Sequence, residues 1–516
     1  MTESRSEREP TRTSVLRVFL PAFILLSALS VLWALASPIF SSPDENAHAT
    51  KAIAQVHGEV IGKQVKGVHG QVVQLPDDYR YSTELLCFAY HPDRPADCGV
   101  DLGAPDGTPF FGTWVGAYNP VYYYVVGWPS LVLGGAPGLY AMRIASALFS
   151  SLFLAWAIQT AVTSRRGRWM PAAIVFLASP MILYMAGSVN PQGLEIASAA
   201  ALWVGLVRLL ERPVRADRFE LSRPYLWVVV AFSAAMLASA RALGPLWVVV
   251  VVVFCFAYAG PKPSWALISR RSSWVPIGLI AVAGAFSILW TLAGGSLSGQ
   301  ATKQDAPLAG GTFIQGVRLM LRETPDFIQQ AVGVFGWLDT DLPLAAYTTF
   351  FVAFSLLAAL GALATGKRGA ITMASLVIAA IAIPVLVQAY SVHQTGLIWQ
   401  GRYGIFLYLA IPIFAGLLLS SEAARRVAFL SVRVTAVVSS LLWVFAVATF
   451  VVVLRRYVVG AGTPITHMIT APQWQPPLGW VVLVALFMLV SGVFFGWAIR
   501  LAVLAGREES SRLAGA

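Results

Sequence analysis

The chain has 516 residues, of which 57% are hydrophobic and only 12% are charged. Soluble domains carry about 25% charged residues, so this composition excludes a soluble globular protein. The formal net charge is +11, but the basic residues lie in short loops between apolar stretches. Because an excess of Lys and Arg is typical of the cytoplasmic loops of membrane proteins, the charge does not indicate a nucleic-acid partner.

Apolar stretches of about 20 residues, the length that crosses a bilayer, recur along the chain. We therefore predict an all-α polytopic integral membrane protein with about twelve transmembrane helices. The first is too long for the apolar part of a signal peptide, so we expect it to be retained. In chain order the predicted helices are Val15–Ala36, Leu139–Thr163, Trp169–Gly187, Gly193–Leu210, Tyr225–Ala240, Leu243–Ala259, Trp274–Ala293, Leu344–Ala364, Ala370–Tyr390, Tyr403–Leu419, Val434–Leu454 and Trp480–Leu504.

Basic residues set the predicted orientation. With a cytoplasmic amino terminus every inner loop is basic and the carboxyl terminus is also cytoplasmic, which predicts a multi-pass membrane protein with both termini inside. The apolar stretch Val121–Leu133 would reverse this pattern if it crossed the bilayer, so we interpret it as an interfacial or re-entrant helix. The inner basic residues are Arg165, Arg166, Arg168, Arg212, Arg215, Arg218, Arg223, Lys262, Arg270, Arg271, Lys367, Arg368, Arg425, Arg426, Arg507 and Arg512.

This topology divides the chain into seven segments. They are a cytoplasmic tail (1–14), the first transmembrane helix (15–36), a first extracytoplasmic loop with a juxtamembrane helix (37–138), helices 2–7 (139–293), a second extracytoplasmic loop with interfacial helices (294–343), helices 8–12 (344–504) and a cytoplasmic tail (505–516). In the second loop an apolar face from Phe313 to Leu321 predicts a helix on the membrane surface. Thr324-Pro325-Asp326 predicts the start of another helix.

Two of the three cysteines, Cys87 and Cys98, flank a polar stretch of the first large loop, whereas Cys255 lies in an apolar run. If that loop faces an oxidising compartment, Cys87 and Cys98 are expected to form a disulfide. Two unpaired buried thiols are the alternative.

The motif Ser42-Pro43-Asp44-Glu45 follows the first helix directly. Ser42 is a good N-cap, Pro43 suits the first helical position, and Glu45 would complete a capping box. This structural explanation accounts for Glu45 better than for Asp44. The motif therefore predicts a helix start and leaves Asp44 as the sharper functional candidate.

On the predicted helix, Asp44 and His48 are four residues apart and share a face, with Lys51 close to it. A carboxylate at the mouth of a membrane-embedded bundle could act as a general base toward a sugar or lipid hydroxyl. Asp44 and His48 also have the spacing of metal ligands on a helix, but the sequence offers no clear third ligand. A divalent metal is therefore without support, and no cofactor is firmly implied.

Four arginines lie at or near the outer ends of predicted helices, where the cytoplasmic excess of basic residues does not account for them. A guanidinium binds phosphate through a planar fork and stays charged, which suits a site for an anionic lipid-linked substrate. The alternative is snorkelling toward lipid headgroups, which fits Arg455 and Arg456 after an apolar helix better. The four are Arg143, Arg241, Arg322 and Arg402.

Five other residues complete the predicted substrate-binding set: Asn190, Glu195, Asp339, His393 and Tyr403. Asn190 with the next proline is first of all a turn signal, whereas Glu195 inside an apolar helix needs a partner or a wet cavity. Asp339 is a secondary candidate, because a helix-entry turn with an interfacial Trp explains much of its surroundings.

Four motifs in order carry a family resemblance: Ser42-Pro43-Asp44-Glu45-x-x-His48, Asn190-Pro191-x-x-x-Glu195, Gly336-Trp337-Leu338-Asp339-Thr340-x-Leu342-Pro343 and Gln400-Gly401-Arg402-Tyr403. Together they resemble the bacterial membrane-protein family named domain of unknown function 2142. That family is similar to the polytopic glycosyltransferases of the C-type fold. The resemblance extends from about Val15 to about Leu419.

The resemblance implies an enzyme that takes a sugar from a polyprenyl-phosphate carrier on the outer face of a bacterial inner membrane. The sugar would pass to a glycan or lipid acceptor of the cell envelope. In such enzymes the acidic residue at the start of the first outer loop is the catalytic base, and the matching position here is Asp44 or Glu45. Asn119 stands where a histidine usually precedes the proline of the juxtamembrane segment.

Other functions remain open on the sequence alone. A transporter or flippase of lipid-linked glycans also has about twelve helices and arginines at the membrane edge. A glycan polymerase or ligase would share the lipid-phosphate chemistry but should depend on outer-loop arginines more than on a carboxylate. A non-catalytic partner in envelope assembly is the third alternative, because a fold does not establish an activity.

Overall fold

The computed structural model describes residues 12–66, 68, 70–81, 86–103, 109–163, 167–211, 221–296 and 306–514. Of the predicted inner-loop arginines, Arg165, Arg166, Arg212, Arg215 and Arg218 lie outside the described residues, as do residues 1–11 of the predicted cytoplasmic tail.

The described part of the chain is mainly helical. Its helices are α1 (Arg12–Ala36), α2 (Glu45–Val56), α3 (Pro120–Gly127), α4 (Gly135–Val162), α5 (Met170–Ile174), α6 (Pro180–Ala186), α7 (Pro191–Leu210), α8 (Arg223–Ala240), α9 (Gly244–Ala259), α10 (Pro261–Ile268), α11 (Arg271–Gly294), α12 (Phe313–Gly333), α13 (Leu344–Ala364), α14 (Gly366–Thr395), α15 (Ile405–Tyr408), α16 (Ala410–Leu419), α17 (Ser431–Val459), α18 (His467–Thr470) and α19 (Trp480–Ala514).

Among the described residues, ten helical segments are long and apolar enough to cross a membrane, or eleven if a bent pair is counted as one span. The bent pair is the predicted helix Trp169–Gly187, whose arms Gly167–Ala178 and Pro180–Ala186 meet at 58°. Pro180 explains the break, because it lacks an N–H and keeps Ser179 extended, with ψ 137°. The predicted all-α polytopic membrane protein is confirmed.

The predicted helix Leu243–Ala259 corresponds to α9. Like the bent pair, it is not among the ten segments that are long enough to cross a membrane. It has 16 residues, which at 1.5 Å per residue extend about 24 Å, less than the hydrocarbon thickness of about 30 Å. With α9 and the bent pair included, each of the twelve predicted helices has a counterpart.

The first large loop contains α2, α3 and a small antiparallel sheet that the sequence pattern does not predict. Its strands β1 (Lys63–Gln64), β2 (Gln71–Gln74) and β3 (Phe110–Thr113) pair in that order, with Gln71 opposite Thr113. The Thr113 hydroxyl donates a hydrogen bond of 2.9 Å to the Ala47 carbonyl, which attaches the sheet to α2. Because α3 has only eight residues, it is too short to cross a membrane.

Helix α7 forms the centre of the bundle, and all of its residues are buried. It packs against α4 and α8. Gly193 allows its first turn to approach α6, since a Cβ there would lie 2.6 Å from the Met185 carbonyl oxygen. Gly187 likewise lies against the backbone of α1 at Ser30. The turn between α6 and α7 is thereby held close to the end of α1, where the candidate site begins.

Among the described residues of the second loop, the single helix α12 covers the positions where the sequence predicted two helices. Thr312 and Gln315 form a capping box at its start. The prediction that Thr324-Pro325-Asp326 begins a new helix is wrong, because Pro325 lies inside α12. The Thr324 hydroxyl donates to the Met320 carbonyl instead of capping a new helix.

Candidate functional site

The segment between α1 and α2 places two adjacent carboxylates at the start of a buried helix. Helix α2 begins at Glu45, and its N-cap is Asp44, which has φ 63° and ψ 3° and makes no capping hydrogen bond with its side chain. The capping box predicted for Ser42, Pro43 and Glu45 is therefore wrong. The left-handed backbone of Asp44 directs the two neighbouring carboxylates to different partners.

Glu45 forms a buried, two-pronged ion pair with Arg143 of α4. Arg143 Nε and Nη2 donate to the two carboxylate oxygens at 2.8 and 2.6 Å. The Val189 backbone N–H, in the turn before α7, donates to the same carboxylate at 3.0 Å. The other Arg143 donors bond to carbonyl oxygens at the end of α1, those of Ala34, Ser37 and Pro38. All five N–H groups of Arg143 are thus engaged within the protein.

Asp44 pairs with Arg402, whose Nη2 donates to Asp44 Oδ2 at 2.7 Å. The Arg402 side chain is 3% exposed, while that of Asp44 is 26% exposed and so is open to a ligand. Arg402 Nε and Nη1 are buried and have no hydrogen-bond partner among the described residues. A buried guanidinium with two unused donors favours an acceptor that is absent from the protein itself.

The charge of Asp44 is set by two opposing effects. Burial disfavours its ionised form, but the positive charges around it, above all that of Arg402, hold the pKa of Asp44 below its ordinary value. Asp44 is therefore an anion at neutral pH.

Arg402 is held by a tight turn at Gly401–Gly404. A side chain at Gly401 would collide with the Phe327 carbonyl of α12, and the Gly401 N–H donates to Gln330 Oε1 at 2.9 Å. A glycine at position 401 is therefore required for the close packing of this turn against α12.

Arg241, the C-cap of α8, adds a second guanidinium next to this turn. Its guanidinium carbon lies 4.3 Å from the centre of the Tyr403 ring. Gln192 of α7 connects the two arginines: its Oε1 accepts from Arg241 Nη1 at 3.3 Å, and its Nε2 donates to the Arg402 carbonyl at 2.7 Å. Arg241, Arg402, Tyr403 and Asp44 therefore form one group, which we call the Asp44 site.

Asn190 and Glu195 support this site from α7. Asn190 caps the helix by accepting from the Gln192 N–H, and its Nδ2 donates to the Pro43 carbonyl at 3.1 Å. Asn190 therefore forms the predicted turn and also attaches it to the segment that carries Asp44. The buried Glu195 carboxylate faces Arg241 and contacts the Trp247 side chain.

His48 and Lys51 continue the site into α2 among aromatic rings. His48 Nδ1 lies 2.8 Å from the Tyr123 hydroxyl, and burial lowers the pKa of His48 to about 3, so its imidazole is neutral at pH 7. Lys51 Nζ donates to the Val60 carbonyl and lies 5.5 Å from the Tyr123 ring centre. Burial lowers the pKa of Lys51 to about 7.

Asp339 belongs to a neighbouring cluster. Its carboxylate forms a buried ion pair of 2.9 Å with Arg456 and accepts the Tyr90 N–H at 3.0 Å. Arg456 also donates to carbonyl oxygens of the segment 88–94, which contains Phe88, His91 and Arg94. That segment lies inside a Cys87–Cys98 disulfide. The interpretation of Arg456 as a snorkelling residue is wrong, because its guanidinium is buried in this cluster.

Two predicted substrate-binding residues lie apart from these contacts. The Arg322 side chain is 83% exposed and meets the adjacent Glu323 at 3.5 Å. His393, near the end of α14, is also exposed, and its carbonyl accepts the Gly310 N–H. In the part of the chain that the structure describes, no hydrogen bond or ion pair joins either side chain to the Asp44 site, and their roles in substrate binding stay predictions.

Metal ligation has no support in this arrangement. Within the described ranges, no three or more His, Cys, Asp and Glu side chains form a group that could hold a metal ion. Asp44 precedes α2 as its left-handed N-cap, whereas His48 lies within the helix, and their partners are Arg402 and Tyr123.

The family described as "Predicted membrane protein (DUF2142)" matches residues 28–411, which is more than half of the chain. The chain belongs to this family. A similar solved structure is the crystal structure of ArnT from Cupriavidus metallidurans bound to undecaprenyl phosphate, with a TM-score of 0.45 and 14% sequence identity. The similarity covers 96% of this chain and 78% of that chain. No match was found among curated proteins.

In this DUF2142 protein, several residues that build the site were absent from the sequence-based set. Gln192, Tyr118 and Tyr123 all contact residues of that set. Gln192 lies within the Asn190-Pro191 motif, so its position was a usable signal. No pattern distinguished the two tyrosines, because aromatic residues are common in any membrane-edge helix. At Asn119, the position of the usual histidine, the side-chain amide donates to Ser287 at 3.0 Å.

Proposed function

We propose that this membrane protein is a glycosyltransferase that transfers a sugar from a polyprenyl-phosphate donor to a cell-envelope glycan or lipid acceptor. The Asp44 site lies at the end of the bundle that carries the first large loop. The basic loops at the other end favour a cytoplasmic position for that end and for both termini. The site would then face the extracytoplasmic side of a bacterial inner membrane, where lipid-linked sugars are used.

The observation that carries this proposal is the pairing of Asp44 with Arg402. Asp44 is a partly exposed anion, and two buried nitrogens of Arg402, Nε and Nη1, have no hydrogen-bond partner among the described residues. A carboxylate that can accept a proton thus lies next to a cation with free capacity for a phosphate. These are the two groups needed for displacement at a sugar carbon bonded to phosphate.

The reaction would proceed in one displacement. Asp44 accepts the proton of the acceptor hydroxyl while the hydroxyl oxygen forms a bond to the anomeric carbon. The bond between that carbon and the phosphate oxygen breaks, and its electron pair leaves with the polyprenyl phosphate. A single displacement inverts the anomeric configuration.

Arg402 and Arg241 would bind the departing phosphate. Their positions are fixed by the Gly401–Gly404 turn and by Gln192, so little reorganisation is needed as charge develops. A phosphate bound at Arg402 would also compete with Asp44 for the guanidinium, and the loss of that partner would raise the basicity of Asp44.

Glu45 is a weaker candidate for the base than Asp44. Its carboxylate accepts from Arg143 and from the Val189 N–H, and it is buried. We assign Glu45 and Arg143 to holding the segment 37–44 in place, and we assign the proton transfer to Asp44.

The test uses purified protein with a panel of polyprenyl-phosphate sugars and envelope acceptors. We expect Asp44→Asn to lower the rate of transfer about 10²- to 10⁴-fold, as for loss of a general base. Arg402→Gln should lower transfer as well. Asp77→Asn is the matched control for Asp44→Asn, since the Asp77 side chain is highly exposed.

Transfer that survives Asp44→Asn would overturn the assignment of the base. Movement of intact lipid-linked glycan across liposomes, without new glycosidic bonds, would replace the proposal with a flippase. If the protein neither transfers nor moves these lipids, a non-catalytic role in envelope assembly would replace it.

A further inference from the structure

Next to the Asp44 site, two aromatic rings form a pair outside the membrane-spanning helices. The rings of Tyr90 and Trp337 have centres 5.6 Å apart, and the Tyr90 residue is 59% exposed. Most large exposed apolar side chains of this protein lie on helices that face lipid, but Tyr90 lies in the disulfide-closed loop. Lipid contact therefore does not explain its exposure.

Unusual backbone geometry is concentrated around this pair. Six non-glycine residues with positive φ occur in the described part of the chain, and four of them belong to this region: Phe40 at 62°, Asp44 at 63°, Tyr90 at 62° and Leu338 at 62°. Such conformations are unfavourable for residues with a side chain and persist only where surrounding contacts enforce them.

Those contacts hold both rings in place. The Tyr90 N–H donates to Asp339, which is itself paired with the buried Arg456. The Trp337 Nε1–H donates to the Phe40 carbonyl at 3.1 Å. The Cys87–Cys98 disulfide closes the loop that carries Tyr90. An exposed tyrosine is thus anchored by a buried ion pair and a disulfide, which a surface residue without a ligand does not need.

The pair lies close to the chemistry proposed above. The charges of Asp44 and Arg402 both act on the Tyr90 hydroxyl. The Trp337 ring is hydrogen-bonded to Phe40, which precedes Asp44 by four residues in the segment between α1 and α2. A ligand that reaches Asp44 from the exposed side would pass these rings.

We propose that Tyr90 and Trp337 form a platform on which a pyranose ring of the substrate stacks beside Asp44. One face of a pyranose presents C–H groups, and the electron-rich face of an aromatic ring attracts them. The Asp44 carboxylate lies next to the platform and can accept a hydrogen bond from a sugar hydroxyl. This inference rests on the proposed function and names the residues that recognise its sugar, either that of the donor or that of the acceptor.

Steady-state transfer by the full-length purified protein tests the platform. The concentrations of donor and acceptor are varied separately. We expect Tyr90→Ala to raise KM for one of the two about five- to tenfold, the loss of one aromatic contact, with little change in kcat. The substrate whose KM rises, donor or acceptor, is the one whose sugar stacks on the platform.

Three further variants make the result specific. Tyr90→Phe keeps the ring and should keep the wild-type KM, whereas Tyr90→Leu keeps apolar bulk without the ring and should behave like Tyr90→Ala. Tyr390→Ala removes another exposed tyrosine, on α14, and should change nothing. An unchanged KM for both substrates in Tyr90→Ala would overturn the platform while leaving the proposed function intact.

If the wild-type protein transfers no sugar, the proposed function has failed and the platform is tested by direct binding. Isothermal titration with a panel of methyl pyranosides would then support it if binding to the wild type is lost in Tyr90→Ala and kept in Tyr90→Phe. Absence of binding to the wild-type protein would overturn it.

Discussion

Arg402 Nη2 lies 2.7 Å from Asp44 Oδ2, although the two residues are 358 positions apart in the chain. The contact joins the start of α2 to the turn before α15. It keeps Asp44 ionised, and two donor nitrogens of Arg402 have no partner in the part of the chain that the structure describes. The pair therefore links the charge state of the candidate base to occupancy of the candidate phosphate site.

This link predicts a shift in the pH dependence of transfer. The pKa of Asp44 is held below its ordinary value mainly by Arg402, in spite of burial, so wild-type activity should persist to a lower pH than the ordinary pKa of an aspartate would allow. In Arg402→Gln the burial of Asp44 remains while the compensating charge is lost. The acid limb of the pH–rate profile should therefore move to higher pH, and Arg402→Lys, which retains the charge, should move it less. An acid limb that stays at the wild-type pH in both variants would contradict the link.

Glu45 and Arg143 should behave as one structural unit. Removal of either partner leaves a buried charge unpaired, so Glu45→Gln and Arg143→Met should each lower the free energy of unfolding by about 3–5 kcal/mol. The double variant should lose less than the sum of the two. Denaturant titration in detergent measures all three. Asp77→Asn, which breaks an exposed ion pair with Arg80, should cost about 1 kcal/mol or less. Additive losses at Glu45 and Arg143 would show that the two act independently.

Lys51 should make stability depend on pH. Burial lowers its pKa from 10.5 to about 7 in the folded protein, so between these two values the unfolded chain binds more protons. Stability should accordingly rise with pH across this window, by up to about 1.4 kcal/mol per pH unit. Lys51→Met removes this contribution, and the difference in stability between variant and wild type should shrink steadily from pH 7 to pH 10. A difference that is constant with pH would refute the assignment.

The loop that carries Tyr90 has several attachments, among them backbone hydrogen bonds between Ala96 and Tyr457 and between Ala461 and Pro92. The disulfide closes it covalently, and Arg456 bonds to its carbonyl oxygens. Loss of the disulfide in Cys87→Ser with Cys98→Ser should cost about 3 kcal/mol, yet the loop should resist limited proteolysis while Arg456 holds it. Adding Arg456→Met should allow cleavage between residues 87 and 98. Equal resistance in the combined variant would mean that other contacts hold the loop.

Much of the fold was determined by local composition. A bilayer requires about 20 consecutive apolar residues and intact backbone hydrogen bonds, so each span can be recognised from its own sequence. The exceptions have local causes as well. Pro180 breaks one span, and α9 is one turn too short. The small sheet was missed because β1 has two residues and the other strands have four each, too few for a clear alternation of polar and apolar positions.

The sequence by itself also selected Asp44, Arg241, Arg402 and Asn190, because polar groups at membrane-embedded helix ends need partners. It did not determine which partners they have. Glu45 and Asp44 are adjacent and chemically alike, but the left-handed backbone at Asp44 separates them, one toward Arg143 and the other toward Arg402. Arg456 follows an apolar helix, which predicted snorkelling toward lipid headgroups, but the packing of α17 against the disulfide loop buries it in an ion pair with Asp339. Contacts between residues hundreds of positions apart depend on how the helices pack, and only the tertiary structure decided them.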